Sequence, residues 1–231
     1  MSFYLGDVLL SFSGGLDSTV LLGSLLAEGR KVTCVSYKYG SHHNTIELKA
    51  AKTITEYYAT LYPGKVERMN LDLSPVFNGM QCVFLMPDKK IPEGRYAEDN
   101  ITQTVVPARN LVFISAMAAI ACSRGIPHVA VGIHSNDSVV YPDCRFGFFK
   151  AIDKAVNEAT EGQVSVLAPF VKKTKAYIVK FGATLDVPFH LTRTCYTENE
   201  IACGKCGSCI DRLNAFKKAK IVDPVRYAYE V

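Results

Sequence analysis

The sequence lacks the features that mark membrane, secreted and repeat proteins. No run approaches the roughly 18 consecutive apolar residues that a membrane-spanning helix needs. Asp7 interrupts the N-terminal stretch where a signal peptide requires an unbroken apolar core. Internal repeats, low-complexity stretches and Pro/Ser-rich linkers are also missing. We therefore expect a cytoplasmic protein with no membrane partner.

The sequence also has little excess charge. Its 26 Lys and Arg against 22 Asp and Glu give a net charge of +4, and the basic residues are scattered apart from a small group at Lys217, Lys218 and Lys220. A nucleic-acid-binding surface needs clustered basic residues, so nucleic acid is not an expected partner, whereas a small anion is. A zinc-stabilised nucleic-acid-binding module is the alternative from another class. It predicts salt-dependent binding to DNA or RNA and no ATP consumption.

Strand-like apolar runs alternate with helical patterns along the 231 residues. The pattern predicts strands at 7–12, 31–37, 65–70 and 128–133, and helices at 18–28, 44–61, 108–123, 145–160 and 174–185. Such alternation is typical of an α/β fold with a parallel sheet flanked by helices, and the length suits one domain over residues 1–231. Residues 75–102 contain further prolines and glycines and are predicted as a long loop over a site beyond the carboxyl ends of the strands.

The stretch FSGGLDST, residues 12–19, falls at the turn from the first strand into the first helix. Gly14 and Gly15 carry no Cβ, so the backbone can take positive φ and approach a ligand closely. Their amides and the helix dipole favour an anion at this point, and Ser13, Ser18 and Thr19 add hydroxyl groups. The stretch therefore predicts a phosphate site, with a serine-rich helix-capping turn as the plainer alternative.

This loop contains no lysine and lacks both the Gly-Lys-Ser/Thr of a Walker loop and the Gly-x-Gly-x-x-Gly of a dinucleotide turn. Asp17 has two interpretations that do not exclude each other: the N-cap of the helix, or a ligand of the Mg²⁺ that accompanies a polyphosphate.

The eight cysteines divide into two groups of four. Scattered along the chain are Cys34, Cys82, Cys122 and Cys144, of which the first three have apolar neighbours and are predicted to fill the core. Crowded near the C-terminus are Cys195, Cys203, Cys206 and Cys209.

The crowded cysteines have the spacing of a metal site. The Cys-x-x-Cys-x-x-Cys part predicts three thiolates on one tight loop, and four sulfurs suit tetrahedral Zn²⁺. An iron–sulfur cluster is the alternative, since clusters are also held by four cysteines. Because a closed four-cysteine site is normally structural, we predict a C-terminal zinc segment at about 190–215 within the single domain.

The motif SGGLDST resembles the pyrophosphate loop (PP-loop) of the N-type ATP pyrophosphatases, whose fold is of the adenine nucleotide alpha hydrolase, Rossmann-like type. Over nearly the whole chain the sequence resembles the 7-cyano-7-deazaguanine synthase (QueC) family. The matching segments are YG followed by His43 and Glu47, VPARN at 106–110, YPDCR at 141–145, APF, TKAYIV, CY, ACGKCGSC and DPVRYAY.

The resemblance implies a ligase of queuosine biosynthesis. In that reaction ATP adenylates the carboxylate of 7-carboxy-7-deazaguanine, ammonia displaces AMP to give an amide, and a second ATP-dependent step gives the nitrile. The implied cofactors are ATP, Mg²⁺ and Zn²⁺, with zinc on the four crowded cysteines. The implied ATP-binding residues are Ser11, Phe12, Ser13, Gly14, Gly15, Leu16, Asp17, Ser18, Thr19, Val20 and Leu21.

A deazaguanine needs an acceptor for its ring N–H and amino groups, donors for its carbonyl, and an aromatic surface. The candidate acceptors are Asp137 and Asp143, the candidate donors are Arg109 and Arg145, and the candidate stacking residues are Tyr141, Phe146, Phe148 and Phe149. Arg109 joins Asp17 and Ser13 as a candidate catalytic residue. The alternatives are that Arg109 and Asn110 cap a helix and that the phenylalanines belong to the core. His42 and His43 either face the site or lie in a solvated loop, and no role is predicted for His134.

The sequence departs from the family pattern at several places. Lys38 and Ser41 replace an acid and an amide in YKYGS, DSVVYPD replaces Asp-Tyr-Ser-Gly-Tyr-Pro-Asp, RTC at 193–195 replaces Trp-Ser-Cys, and RFGF replaces Arg-Pro-Glu-Phe. These departures leave open a second hypothesis, a QueC-like enzyme of an antiphage system that joins a deazaguanine to a partner protein through an amide. In either case we expect a homodimer, the commonest assembly among soluble enzymes.

Overall fold

A computed structural model describes residues 6–86, 88–94 and 103–229 of the chain. Its sheet contains β1 (Val8–Ser11), β2 (Val32–Lys38), β3 (Val66–Asp72), β4 (His128–Ala130) and β5 (Ser165–Leu167). All the pairings are parallel and the order is β3-β2-β1-β4-β5, which confirms the predicted α/β class. The strand β5, three residues long at the sheet edge, was not predicted.

Helices follow the strands. They are α1 (Leu16–Ala27), α2 (Asn44–Leu61), α3 (Ser74–Phe77), α4 (Arg109–Ser123), α5 (Phe146–Ala159), α6 (Lys175–Thr184) and α7 (Gly207–Ala219). The five predicted helices are confirmed with small shifts at their ends, whereas α7 was not predicted. Of the predicted loop at 75–102, the structure shows α3 and a 3₁₀ turn at Val83–Leu85, and residues 87 and 95–102 lie outside the described residues.

The core has one layer on each face of the sheet, because side chains alternate along a strand. Val8 and Leu10 pack with α1, α2, α6 and α7, whereas Leu9 between them packs with α4 and α5. Cys34 and Cys82 are buried in these layers as predicted, and Cys122 is half-buried. Within the described ranges, no helix is long and apolar enough to cross a membrane.

Candidate active site

A cavity of about 280 Å³ opens at the carboxyl edge of the sheet. Its lining includes Ser13 after β1, Tyr39 after β2 and Ile133 after β4, together with residues from α4 and from the cysteine-rich segment. This is the edge at which ligands of parallel sheets bind, and it is where the phosphate loop was predicted to lie.

The predicted ATP loop forms part of the lining. The residues that line the cavity are Ser11, Phe12, Ser13, Gly15, Leu16, Asp17 and Ser18, whereas Thr19, Val20 and Leu21 are buried in the core. The Thr19 hydroxyl, expected near the anion, instead donates to the Gly15 carbonyl at 2.7 Å. The loop is fixed further by the Gly15 amide, which donates to Ser13 Oγ at 3.1 Å. That these residues bind ATP remains a prediction.

Gly14 is the residue at which the loop passes closest to α2. Its φ is +74°, and a Cβ added there would lie 2.6 Å from the backbone nitrogen of Ala51. A side chain is therefore excluded by both conformation and space. The Gly14 carbonyl accepts the Arg193 amide at 2.9 Å, so the loop is held between α2 and the segment that leads into the cysteines.

Asp17 is not the N-cap of α1. Gly15 occupies that position, with no side-chain capping hydrogen bond, so this interpretation is wrong. Asp17 Oδ2 instead lies 3.4 Å from Lys175 Nζ and 3.5 Å from His134 Nε2. Burial opposes the charged form, but Lys175 and His134 together hold the pKa of Asp17 well below its usual range. Asp17 Oδ1 is buried without a hydrogen-bond partner among the described residues, an arrangement that fits a cation or ligand at this oxygen.

The phosphate loop contains no lysine, but a lysine of α6 lies beside it. Lys175, the first residue of that helix, is 5% exposed, and its Nζ lies 3.1 Å from Asp211 Oδ2 as well as near Asp17. Burial opposes its charge, yet the two carboxylates raise the pKa of Lys175 above its usual value. The sequence analysis matched TKAYIV to the family but gave this residue no role. A buried lysine beside two acids was not visible in the spacing of the sequence.

His134 completes this charged network. Its ring is fully buried, with Nε2 3.2 Å from Asp137 Oδ2. Asp137 lines the cavity as predicted, but this contact directs its carboxylate to His134. We call Ser13, Gly15, Asp17, Ser18, Lys175 and Asp211 the phosphate wall.

A second group of lining residues is aromatic. Tyr37 stacks on Phe113 with ring centroids 3.8 Å apart, and Tyr39 meets Phe113 edge-on at 5.6 Å. Tyr141 and Tyr196 also line the cavity, and all five rings belong to or pack against the core layer of α4 and α5. We call Tyr37, Tyr39, Phe113, Tyr141 and Tyr196 the aromatic wall.

Only one of the four predicted stacking residues lies in this wall. Tyr141 lines the cavity, whereas Phe148 and Phe149 pack against the core, as the alternative interpretation held. Phe146 is 40% exposed and carries the Lys172 ammonium over its ring at 3.8 Å. Tyr37 and Tyr39 were missed, although residues two apart at the carboxyl end of a strand share a face and could have been found by that pattern.

Asp143 and Arg145 do not line the cavity. Asp143 Oδ2 accepts the backbone N–H of Asn110 at 2.8 Å and so caps α4 from outside the helix. The N-cap position itself is Ala108, without a side-chain cap, so the alternative that Arg109 or Asn110 caps this helix is wrong. Arg145 is exposed and donates from Nε to the Ser138 carbonyl at 3.2 Å. The geometry thus gives both predicted substrate residues a structural contact.

Arg109, His43 and Glu47 lie beside the aromatic wall. The Arg109 charge lies close to Tyr39, Tyr141 and Tyr196. His43 is buried with Nε2 3.3 Å from the Tyr39 hydroxyl, and burial lowers the pKa of His43 to about 3, which keeps the ring neutral. His43 therefore faces the site.

The neighbouring His42 does not line the cavity. Its Nε2 lies 2.6 Å from the Met86 carbonyl oxygen, on the loop that follows the 3₁₀ turn. Of the two histidines after β2, the structure therefore brings only His43 to the site.

The crowded cysteines form a compact cluster. The sulfur atoms of Cys195, Cys203, Cys206 and Cys209 all lie within 4.8 Å of one another. One ion with four Zn–S bonds of about 2.3 Å needs a spacing of this size. Hydrogen bonds from Cys206 and Cys209 hold the pKa of the Cys195 thiol below its usual range. Cys209 lies in the first turn of α7, so the prediction of three thiolates on one loop is wrong.

The cluster also anchors part of both walls. Tyr196 follows Cys195 into the aromatic wall, and Asp211 lies half a turn beyond Cys209 at the phosphate wall. Among the departures from the family pattern, Val140 and Arg193 line the cavity, whereas Lys38 lies outside it in an exposed ion pair with Asp72 at 3.2 Å. Departures from the family pattern therefore reach the cavity.

Comparison with solved structures supports the fold. The U34-tRNA thiolase NcsA from Methanococcus maripaludis matches with a TM-score of 0.52 at 15% identity, covering 83% of this chain and 61% of that one. The NMN synthetase from Francisella tularensis matches with a TM-score of 0.52 at 16% identity, covering 83% and 67%. These likenesses show a shared fold and nothing finer.

Comparison of sequences is more specific. The family model for the queuosine biosynthesis protein QueC matches residues 7–220. The 7-cyano-7-deazaguanine synthase of Hahella chejuensis is 37% identical over 94% of this chain and 90% of its own length, and that of Desulfotalea psychrophila is 37% identical over 96% and 98%. The predicted family is confirmed, as is the prediction of an ATP-dependent enzyme. The chain belongs to the QueC family of queuosine biosynthesis proteins.

Proposed function

We propose that this chain is a ligase that converts 7-carboxy-7-deazaguanine to 7-cyano-7-deazaguanine with ATP and ammonia. The observation that supports this best is the single cavity in which the phosphate loop and an aromatic wall lie together. The phosphate loop suits a nucleoside triphosphate, and the aromatic wall suits a flat heterocycle. Relatives at 37% identity over nearly the whole chain carry the name of that synthase.

The first half of the reaction makes an amide. A carboxylate oxygen of the substrate attacks the α-phosphorus of ATP, and the bond to pyrophosphate breaks. Ammonia then attacks the carbonyl carbon, AMP leaves with the former carboxylate oxygen, and the nitrogen loses a proton. Adenylation is needed because a free carboxylate is a poor acyl donor.

The second half removes the remaining oxygen. The amide oxygen attacks the α-phosphorus of a second ATP, pyrophosphate leaves, and AMP then departs with that oxygen. The nitrogen loses two protons as the carbon–nitrogen triple bond forms. Arg109 lies where it can meet the carboxylate or carbonyl of the substrate, next to Tyr39 and Tyr141.

The phosphate wall suits ATP with a divalent cation. Asp17 and Asp211 face a single ammonium, that of Lys175, so this wall does not by itself favour an anion. Mg²⁺ supplies the missing positive charge on the phosphates when it is bound. Asp17 is the residue that would hold it, since Asp17 Oδ1 is buried without a partner in the part of the chain that the structure describes. Ser13 and Gly15 line the same cavity, and in this proposal they contact the pyrophosphate as it leaves.

The four crowded cysteines would hold Zn²⁺, which would fix their positions relative to one another. Their sulfurs lie within 4.8 Å of one another, which suits one ion and leaves little space for a multi-iron cluster. Backbone amides already donate to these sulfurs, for example Cys203 N–H to Cys195 Sγ at 3.3 Å. The resulting segment, about 190–215, belongs to the same domain as the sheet in this proposal.

The reaction can be tested with purified protein, ATP, Mg²⁺, 7-carboxy-7-deazaguanine and ammonium. Mass spectrometry should show first the amide and then the nitrile, with one pyrophosphate released for each step. Asp17→Asn is the inactive control, and Asp72→Asn, an exposed acid paired with Lys38, is the matched active control. Absence of both products with substrate-independent ATP turnover would contradict the proposal.

An alternative acceptor is the amine of a partner protein, as in QueC-like enzymes of antiphage systems. The departures from the family pattern support it, because Val140 and Arg193 line the cavity and Val139, which precedes Val140 in the chain, is 77% exposed. In that case the same assay gives pyrophosphate without nitrile. A candidate acceptor protein added to the mixture would then gain the mass of the deazaguanine acyl group.

A further inference from the structure

Four carboxylate residues line the cavity, and one of them differs from the rest. Asp17 and Asp211 contact Lys175, and Asp137 contacts His134 at 3.2 Å. Among the described residues, the one side chain within ion-pair distance of Glu47 is His43, with Nε2 3.9 Å from Oε2, and the charge of Arg109 acts on Glu47 from farther away. Because His43 is neutral, that contact supplies no charge.

Glu47 lies in the first turn of α2 and reaches the cavity beside the aromatic wall. Its side chain is 22% exposed and receives no hydrogen bond from the residues that the structure describes. The groups that face it are Arg109 from α4, His43 before α2 and Tyr39 after β2. A carboxylate that is partly withdrawn from water and has no donor among the described residues is costly, so a bound ligand that supplies donors would gain by meeting it.

We propose that Glu47 recognises the donor edge of the deazaguanine, accepting hydrogen bonds from its ring N–H and its exocyclic amino group while an aromatic ring of the wall stacks on the base. This inference rests on the proposed function and assigns the acceptor that was expected at Asp137 or Asp143. Those two carboxylates contact His134 and the Asn110 amide instead.

The two donors suit a carboxylate because its two oxygens accept two parallel hydrogen bonds, and charge-assisted bonds are the stronger kind. The same carboxylate disfavours adenine. The Watson–Crick edge of adenine presents a ring nitrogen acceptor beside its amino group, and that acceptor would face a carboxylate oxygen. Glu47 would therefore keep the adenine of ATP out of the base position as well as bind the substrate there.

The decisive experiment compares Glu47→Gln with the wild type in the pyrophosphate-release assay, varying the deazaguanine and ATP separately. The amide presents an N–H₂ where the substrate also presents donors. We expect the KM for 7-carboxy-7-deazaguanine to rise about 10–100-fold while the KM for ATP stays within about twofold. Glu56→Gln, an exposed residue of α2 that pairs with Lys52, is the matched control and should change neither.

Calorimetric binding of 7-deazaguanine without ATP separates this inference from the proposed function. The wild type and Glu56→Gln should bind the free base, and Glu47→Gln should bind it at least tenfold more weakly. If no variant turns over but this binding difference holds, the reaction is wrong and the role of Glu47 stands. Circular dichroism and thermal melting establish that each variant is folded.

The pH dependence gives a third measurement. Burial raises the pKa of Glu47 to about 7, and only the ionised form accepts both hydrogen bonds. The KM for the base should therefore fall as the pH rises from 6 to 8 in the wild type and stay flat in Glu47→Gln. A KM increase for ATP alone would assign Glu47 to the ribose hydroxyls, and unchanged values for both substrates would show that it binds neither. Either outcome overturns the inference.

Discussion

The phosphate wall and the region beside the aromatic wall differ in whether their carboxylates have cationic partners within the protein. In the phosphate wall, Asp17 and Asp211 share Lys175, and burial is offset by ion pairs made within the protein. Beside the aromatic wall, Glu47 is left with a neutral histidine at 3.9 Å. The first wall is electrostatically organised before any ligand arrives, whereas at the second no described residue donates a hydrogen bond to the Glu47 carboxylate.

Both walls depend on the cysteine-rich segment, so the largest effect should come from breaking it. In Cys206→Ser the site loses one of four sulfurs, and we expect metal content to fall from one ion per chain and hydrogen exchange to increase at Tyr196 and Asp211. Because structural zinc sites contribute folding energy directly, the loss should be several kcal/mol. Elemental analysis measures the metal content, urea unfolding measures the loss of stability, and Cys122→Ser is the control. A single cooperative transition in the wild type would support one domain, and unchanged metal content in Cys206→Ser would exclude this site.

Asp17→Asn should have the next largest effect, confined to the phosphate wall. The amide keeps the shape but removes the charge that we assign to the cation of ATP, so pyrophosphate release should fall at least about 10³-fold, or about 4 kcal/mol in the barrier. Binding of 7-deazaguanine at the aromatic wall should not change. If pyrophosphate release is unchanged, the metal role assigned to Asp17 is wrong.

Lys175→Met should reduce pyrophosphate release about 100-fold at pH 8. Lys175 helps to hold the pKa of Asp17 well below its usual range, so without the ammonium that pKa rises. The wild type should keep Asp17 ionised down to pH 5, whereas the variant should lose further activity as the pH falls and Asp17 is protonated. Lys173→Met, whose ammonium lies over the exposed Tyr177 ring, is the matched control. Equal pH profiles for the wild type and Lys175→Met would contradict the assigned pairing.

Glu47→Gln should have the smallest effect. It should raise the free energy of unfolding, whereas Cys206→Ser should lower it. The pKa of the Glu47 carboxyl is about 7 in the folded protein against 4.5 ordinarily. The unfolded state therefore releases its proton first, and the wild type loses stability as the pH rises from 4.5 to 7. At pH 8 the variant should be more stable by about 1–3 kcal/mol, and at pH 4 the two should be equal. Urea unfolding at both pH values tests this, and a destabilised variant at pH 8 would show that Glu47 is paired within the protein.

The elements of the fold could be predicted where local pattern decides them. The helix at 44–61 was predicted because Ile46, Ala50, Ile54 and Tyr57 lie three or four residues apart, and that spacing needs no tertiary information. The strand β5 was missed because three residues at an edge carry too little pattern. Helix α7 was not predicted because the cysteine motif at its start was interpreted as part of a metal-binding loop.

The site residues also divide into those that a local sequence pattern predicts and those that it does not. The phosphate loop was predicted because its glycines and hydroxyls are consecutive, and the metal cluster because its cysteines are close in sequence. The partners of Asp17 come from 117 and 158 residues further along the chain, at His134 and Lys175. No local pattern links them to the loop. Asp143 was assigned to the substrate for its motif alone, and its contact with Asn110 shows only when the helices are packed.

The sequence by itself therefore determined four of the five strands, the five longer predicted helices, the lysine-free loop and the four-sulfur cluster, because each rests on residues that are close together in the chain. Only the tertiary structure decided which cation meets Asp17 and which carboxylate receives no hydrogen bond from the described residues. Electrostatic interactions act over a few ångströms regardless of sequence separation, so the charge state of the site is fixed by packing at the carboxyl edge of the sheet.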